Sequence, residues 1–432
     1  MIFRSRTSFL KIITIVFNSS TFSFPLKFFP LLIFTSLVAS LISCSSSVKF
    51  TGADEVVEAE KFNKINVLLS DQQNKISYTV LSDLSIEDDE RIIALISKGN
   101  VFSLSQIEGK LLLEINGMKF NSYKFVFSSR NNSEHVNLGG KVYRGKIKFT
   151  PGQGGINVIN VISLEDYVKG VLPKEMPSGN GYENFEALKA VAICIRTYAI
   201  QKIHNSKNEF DIYTDERDQV YGSVDSETQI SNLAVDETQN MILTYEGETA
   251  QIFYHSTCGG ETESASNVFQ GQGAPYMNGV KDGTPSNCRI SPRFEWVENY
   301  SRESFVKRIV NAGLLADSNY SVKDVKIISR FPSGRVNELQ IELQDSNSFE
   351  KHVSLFGNSM RSIIRNSDNS AILRSTLFEI ETSPDSIKIS GRGNGHGVGL
   401  CQWGAIYQSQ IGKNYKSILD FYFPGTEAAK LE

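Results

Sequence analysis

The sequence has no block of basic residues, no internal repeat and no low-complexity tract, and only five of its 432 residues are cysteine and six methionine. With a net charge of -4 and no basic stripe, the chain lacks the electrostatic footprint of a nucleic-acid binder. There is also no long apolar run of comfortable membrane-spanning length. The best stretch, Phe28 to Leu41 after Lys27, has signal-peptide length. What is present is ordinary globular material, 40% hydrophobic and 21% charged, with 32 glycines that suit many short strands joined by turns. The length is enough for a sizeable core.

The apolar run ends in Leu41-Ile42-Ser43-Cys44, followed by Ser45-Ser46-Ser47. This resembles a bacterial lipobox, in which the Cys44 thiol is diacylated and becomes the new N-terminus. Residues 1–44 are therefore expected to be a signal peptide with lipobox, and 45–64 a polar tether. The implied location is the cell envelope, on the membrane through a lipid anchor. An ordinary signal peptide or an apolar N-terminal helix is the alternative. Export would permit disulfides among Cys194, Cys258, Cys288 and Cys401. Cys258 and Cys288, in polar and glycine-rich surroundings, are the natural pair. Cys194 lies in an apolar helical pattern and reads as a buried small hydrophobe.

From Ile65 to Val161 the pattern is mostly β, with alternation clearest at Lys64–Leu69, Leu111–Ile115, Tyr123–Phe127 and Val142–Phe149. Ser163-Leu-Glu-Asp166 has capping-box spacing and should start a short helix ending at Leu172-Pro173. A turn, Lys174-Glu175-Met176-Pro177, follows between two prolines. A long helix is expected over 183–203, with Leu188, Ala192, Ile195 and Ala199 on one face. Further helices are expected near 232–238 and 302–312, and strands at Val325–Ile328, Leu339–Leu343 and Phe378–Glu381.

Glu175 carries the chemical interest. Its apolar neighbours Val171, Leu172 and Met176 would desolvate it, raise its pKa and hold the proton a general acid needs. An idle surface glutamate is the alternative on the residues alone. Val161-Ile-Ser-Leu-Glu-Asp-Tyr-Val-Lys-Gly-Val-Leu-Pro-Lys-Glu-Met-Pro, Glu186-Ala-Leu-Lys-Ala through Arg196-Thr-Tyr-Ala, and Asp218-Gln-Val-Tyr-Gly occur in order. Tyr254-His-Ser-Thr-Cys-Gly-Gly and Gly391-Arg-Gly-Asn-Gly-His-Gly-Val-Gly-Leu-Cys-Gln-Trp-Gly-Ala complete the set. Together they resemble the SpoIID/LytB family over nearly the whole exported chain.

The resemblance implies a β-rich α+β fold, a single unit over residues 65–428. Its β-rich part is 65–160 and its catalytic core 161–428, with a long helix beside the active-site turn and a substrate groove. It implies lytic transglycosylase activity on peptidoglycan glycan strands stripped of stem peptides, with Glu175 as acid/base and no cofactor. The alternative it carries is a non-catalytic wall-binding enhancer of a cell-wall amidase.

Arg196, Tyr198, His255, Ser256, His396 and Gln402 are the candidate substrate-binding residues. An ion pair to Glu165 or Asp166 is the competing role for Arg196. The glycines around His396 should leave it without side-chain neighbours. Glu165 and Asp166 are the nearest second carboxylates for a hydrolase.

The sequence departs from the family at Cys401, where serine is usual, at Asn394, where an aromatic is common, and at Val191, in place of glutamine. A zinc site from His255, Cys258 and Cys288 lacks a fourth ligand, and no metal is expected. A Cys-His nucleophile pair, Cys401 with His396, lacks an orienting residue. The glycine-rich tail lacks the βαβ unit of a nucleotide site.

Overall fold

The computed structural model describes residues 62–130, 135–179, 181–269 and 273–431, all in one compact unit. The expected signal peptide, Cys44 and residues 45–61 of the tether lie outside the described residues. Among the described residues the apolar side chains gather into three clusters. The first comes from strands before residue 160, whose period-2 patterns bury alternate side chains: Ile147 and Phe149, Leu111 and Leu113, Phe102 and Leu104. A seven-stranded sheet runs in the order Ile212–Tyr213, Lys64–Ser70, Ile156–Ser163, Lys146–Pro151, Phe125–Ser129, Leu84–Asp88, Arg91–Ile96. A four-stranded sheet comprises Lys75–Thr79, Val101–Ile107, Lys110–Ile115 and Met118–Ser122. Phe127 links the two, with ring centroids 4.6 Å from Phe102 and 5.0 Å from Phe149.

The second cluster surrounds the helix Phe185–Asn205, which is buried on nearly every side rather than along one stripe. The helices Leu164–Glu175, Gln229–Glu237, Gln402–Gln410 and Tyr415–Tyr422 and the strand Met241–Tyr245 enclose it. Its alanines, Ala187, Ala190, Ala192 and Ala199, let those neighbours approach closely. The third cluster lies between Glu295 and Arg392. Two three-stranded antiparallel sheets and the helices Arg302–Asn311 and Met360–Ile364 bury Phe305, Leu339, Ile341, Leu343 and Ile389 there. The fold is thus strand-rich α+β.

Local differences from the sequence reading have physical causes. Phe62, inside the expected tether, is 1% exposed and packs on the helical core, and the first strand begins at Lys64. The Val142–Phe149 pattern splits into Lys141–Arg144 and Lys146–Pro151 at Gly145, whose φ is +74°. A Cβ at Gly145 would sit 2.2 Å from the Val161 carbonyl oxygen, so only glycine lets the chain pass. The short helix does not stop at Leu172 but runs through Pro173 to Glu175. Pro173 removes one helical N–H, yet the Met176 N–H still closes the last turn on Leu172 O at 3.0 Å. Ser163 caps the other end, accepting from Asp166 N at 3.1 Å.

Candidate active site

Because the helix carries through Pro173, Glu175 stands at its C-terminal end, not on a free turn. Its carboxylate Oε1 accepts the Val220 backbone N–H at 2.8 Å. Burial pushes its pKa up, against the lowering effects of the Val220 N–H and the Gln402 side chain, and the Glu216 carboxylate adds to the rise. The negative end of the helix dipole acts in the same direction. The structure therefore holds Glu175 oriented and biased toward its protonated form.

The segment that holds it is Asp218-Gln-Val-Tyr-Gly, and its first four residues have distinct tasks. Asp218 takes the Tyr198 hydroxyl (2.9 Å), the Tyr213 N–H (2.9 Å) and Lys202 Nζ (2.5 Å). Gln219, 1% exposed, accepts from the Tyr167 hydroxyl at 3.0 Å and donates to the Tyr254 hydroxyl at 2.9 Å. Tyr221 donates to Asn160 Oδ1 at 2.7 Å and stacks on Tyr167. Its ring lies where a Cβ on Gly170 would come within 2.4 Å, which ties the segment to the helix bearing Glu175.

Glu175 opens on a groove with a volume of about 830 Å³. Tyr198, Glu216 to Val220, Phe253 to Ser256, Asn394 to His396, Gln402 and Trp403 line it from segments on either side of the Glu295–Arg392 region. Arg293, Asn358 and Arg361 line it from the Glu295–Arg392 region and its approach. Five of the six expected binding residues meet here: Tyr198, His255, Ser256, His396 and Gln402. Arg196 does not. Its fully buried guanidinium makes two 2.7 Å bonds to Glu165 and a third, 2.8 Å, to Met241 O, on a helix side away from Tyr198. That ion pair removes Glu165 too, and Asp166 is spent on the Ser163 cap. Of the two other carboxylates in the groove, Asp218 is engaged by Tyr198, Tyr213 and Lys202, which leaves the exposed Glu216, with no signal in the sequence beyond its place near Asp218.

The histidines are held by backbone. His396 Nε2–H donates to Tyr254 O at 2.9 Å and its Nδ1 accepts the Val398 N–H at 3.1 Å, so it is neutral with both nitrogens engaged. It is not free of neighbours as expected. Phe269 and His255 lie with ring centroids 5.2 and 5.4 Å away, and burial pushes its pKa down to about 3. His255 Nδ1–H donates to Val398 O at 3.0 Å, which leaves Nε2 as a buried acceptor without a protein partner. Burial also drives the His255 pKa well down. Arg361 reaches the groove with Nε on Leu373 O (2.7 Å) and Nη1 on Asn358 Oδ1 (3.2 Å). Among the described residues no carboxylate stands in ion-pair range of it.

Cys258 and Cys288 come together as the sequence suggests, but as two thiols with sulfurs 3.4 Å apart, not as a bond. The buried Cys401 thiol and Asp282 carboxylate join them, all four groups within 4.8 Å of one another. His255, weighed as a ligand from the sequence, is not in this cluster. The sequence reading missed Asp282, six residues before Cys288, because a lone aspartate beside a cysteine has no distinguishing spacing.

Comparisons with known proteins agree with this architecture. The model of the SpoIID family, described as Stage II sporulation protein, matches residues 152–245, which carry Glu175 and Val220. A domain of unknown function (DUF8618) matches residues 284–399, which carry Arg361 and His396. An uncharacterized protein of Brachyspira hyodysenteriae is 33% identical over 324 residues, 74% of this chain and 80% of that one. The Amidase enhancer of Bacillus subtilis is 27% identical over 367 residues, 77% of this chain but 50% of its own length. Stage II sporulation protein D of Bacillus subtilis is 28% identical over 289 residues, 63% of this chain and 76% of its own. With the five motifs gathered on one groove and these relatives along most of its length, the chain belongs to the SpoIID/LytB family.

Proposed function

We propose that this protein is an envelope-located lytic transglycosylase that cleaves the MurNAc–GlcNAc β-1,4 bond of denuded peptidoglycan strands. The observation that carries the reading is Glu175: a desolvated carboxyl at a groove, held through one oxygen by a backbone N–H and biased toward its acid form. Glu175 gives its proton to the glycosidic oxygen as the C1–O bond breaks, and the GlcNAc 4-hydroxyl departs. The carboxylate then takes the proton of the muramyl C6 hydroxyl as that oxygen bonds to C1. The 1,6-anhydro ring closes, Glu175 is an acid again, and water is not consumed.

Around it, Gln402 offers its amide and Ser256 its hydroxyl to sugar hydroxyls. Trp403 and Tyr198 offer ring faces, and Arg361 a cation for an anionic substituent of the glycan. Lipid anchoring through Cys44 would keep this groove at the membrane surface beside the wall.

The test is mass spectrometry of products from denuded strands. Termini in 1,6-anhydro-muramic acid are expected, and Glu216→Gln should keep them. Reducing-end termini that vanish in Glu216→Gln would instead make the enzyme a two-carboxylate hydrolase. The likeness to a protein named Amidase enhancer favours a second reading, in which the groove only binds glycan and stimulates an amidase. No cleavage by the wild type, together with faster amidase turnover in its presence, would establish that reading.

A further inference from the structure

Behind the groove wall lies a cluster that glycan cleavage does not use. We propose that Cys258, Asp282, Cys288 and Cys401 bind one zinc ion as a closed, structural tetrahedral site. Their ligand atoms lie within 4.8 Å of one another and all four residues are buried. Around zinc, with bonds near 2.3 Å, sulfurs stand about 3.8 Å apart. The Cys258–Cys288 separation of 3.4 Å is close to that edge and far from the roughly 2.05 Å of a disulfide.

A disulfide also leaves the surroundings unexplained. It would join two thiols and leave the Cys401 thiol and the buried Asp282 carboxyl unused beside them. Zinc engages all four, displacing three thiol protons as it binds.

The neighbouring groups suit a bound metal. The Cys258 N–H donates to Cys401 Sγ at 3.2 Å and the Gly260 N–H to Cys258 Sγ at 3.4 Å, bonds that favour thiolates. Asp282 is oriented by the Tyr422 hydroxyl at 2.7 Å and the Cys288 N–H at 2.8 Å, one on each oxygen, leaving each a lone pair. Three thiolates and a carboxylate on a dication carry a net double negative charge. The Arg335 guanidinium, 1% exposed and bonded to Cys258 O at 2.7 Å, supplies a buried positive charge beside it. A Cβ on Gly397 would lie 2.4 Å from that guanidinium, so a glycine makes its room.

With no open position, the metal would hold substrate nowhere. It would pin the segment bearing Ser256 to the one bearing Gln402, whose side chain meets Glu175, and so fix that part of the groove.

The full chain, purified without chelator, should hold about one zinc per molecule by elemental analysis. Its three cluster thiols should resist alkylation until a chelator is added. Cobalt replacement should give thiolate-to-metal charge-transfer absorption. Cys401→Ser should lose most of the zinc and Cys194→Ala should keep it. If Cys401→Ser does not fold, the wild-type cobalt spectrum and thiol count still decide. A Cys258–Cys288 disulfide without stoichiometric metal, three free reactive thiols, or iron in place of zinc would each overturn the assignment.

Discussion

Replacing Glu175 by glutamine separates the proton from everything else the residue does. The substitution keeps size, and the new amide oxygen can still accept the Val220 N–H found at 2.8 Å, so the groove should remain formed. Losing a positioned general acid costs roughly 10²–10⁴-fold in rate, or about 2.7–5.5 kcal/mol of barrier. Folding stability should move the other way. Burial raises the Glu175 pKa in the folded chain, so between the ordinary carboxylate value and the raised one the folded state holds more protons than the unfolded.

Stability from this group is therefore full below the ordinary value and declines as pH rises through the raised one. Glutamine abolishes that decline. The variant should match the wild type in acid and exceed it at neutral pH by about 1.4 kcal/mol for each unit of the shift. Urea titrations from pH 4 to 8, paired with product assays on denuded strands, read both effects. Equal stability at every pH would refute desolvation of Glu175, and near-wild-type cleavage by the variant would refute its role as the acid.

Arg196→Met should destabilise the chain by about 3–5 kcal/mol, because it strands the Glu165 carboxylate without its cation and leaves Met241 O without a donor; glycan affinity per folded molecule should not change in a binding assay. His396, pushed down to about 3, resists protonation that the unfolded chain accepts near 6.5. Its stabilising contribution is full above 6.5 and shrinks as pH falls toward 3, so His396→Gln should flatten the acid limb of the stability–pH curve, and an unchanged limb would contradict this. For anchoring, wild type should partition into detergent and Cys44→Ala into water, with equal partitioning ruling out the lipid.

The sequence by itself determined the parts of this protein that depend on local pattern. Period-2 alternation at Leu339–Leu343 and Leu111–Ile115, the Ser163 cap and the long helix are short-range consequences of side-chain spacing. The linear motifs also pointed to Glu175, since its apolar neighbours adjoin it in the chain. Tertiary structure decided what those motifs do to one another. That Asp218-Gln-Val-Tyr-Gly would supply the N–H for Glu175 depends on a 45-residue return of the chain. Arg196 left the groove because Glu165, 31 residues away, met it on the far side of the helix. Asp282 and Cys401 joined Cys258 and Cys288 through contacts up to 143 residues apart, which no spacing rule encodes. The helix ran past Pro173 because packing on Val168, Val171 and Leu172 outweighs one missing hydrogen bond. Pattern sets which residues can be buried or can react; only closure of the chain sets which of them meet.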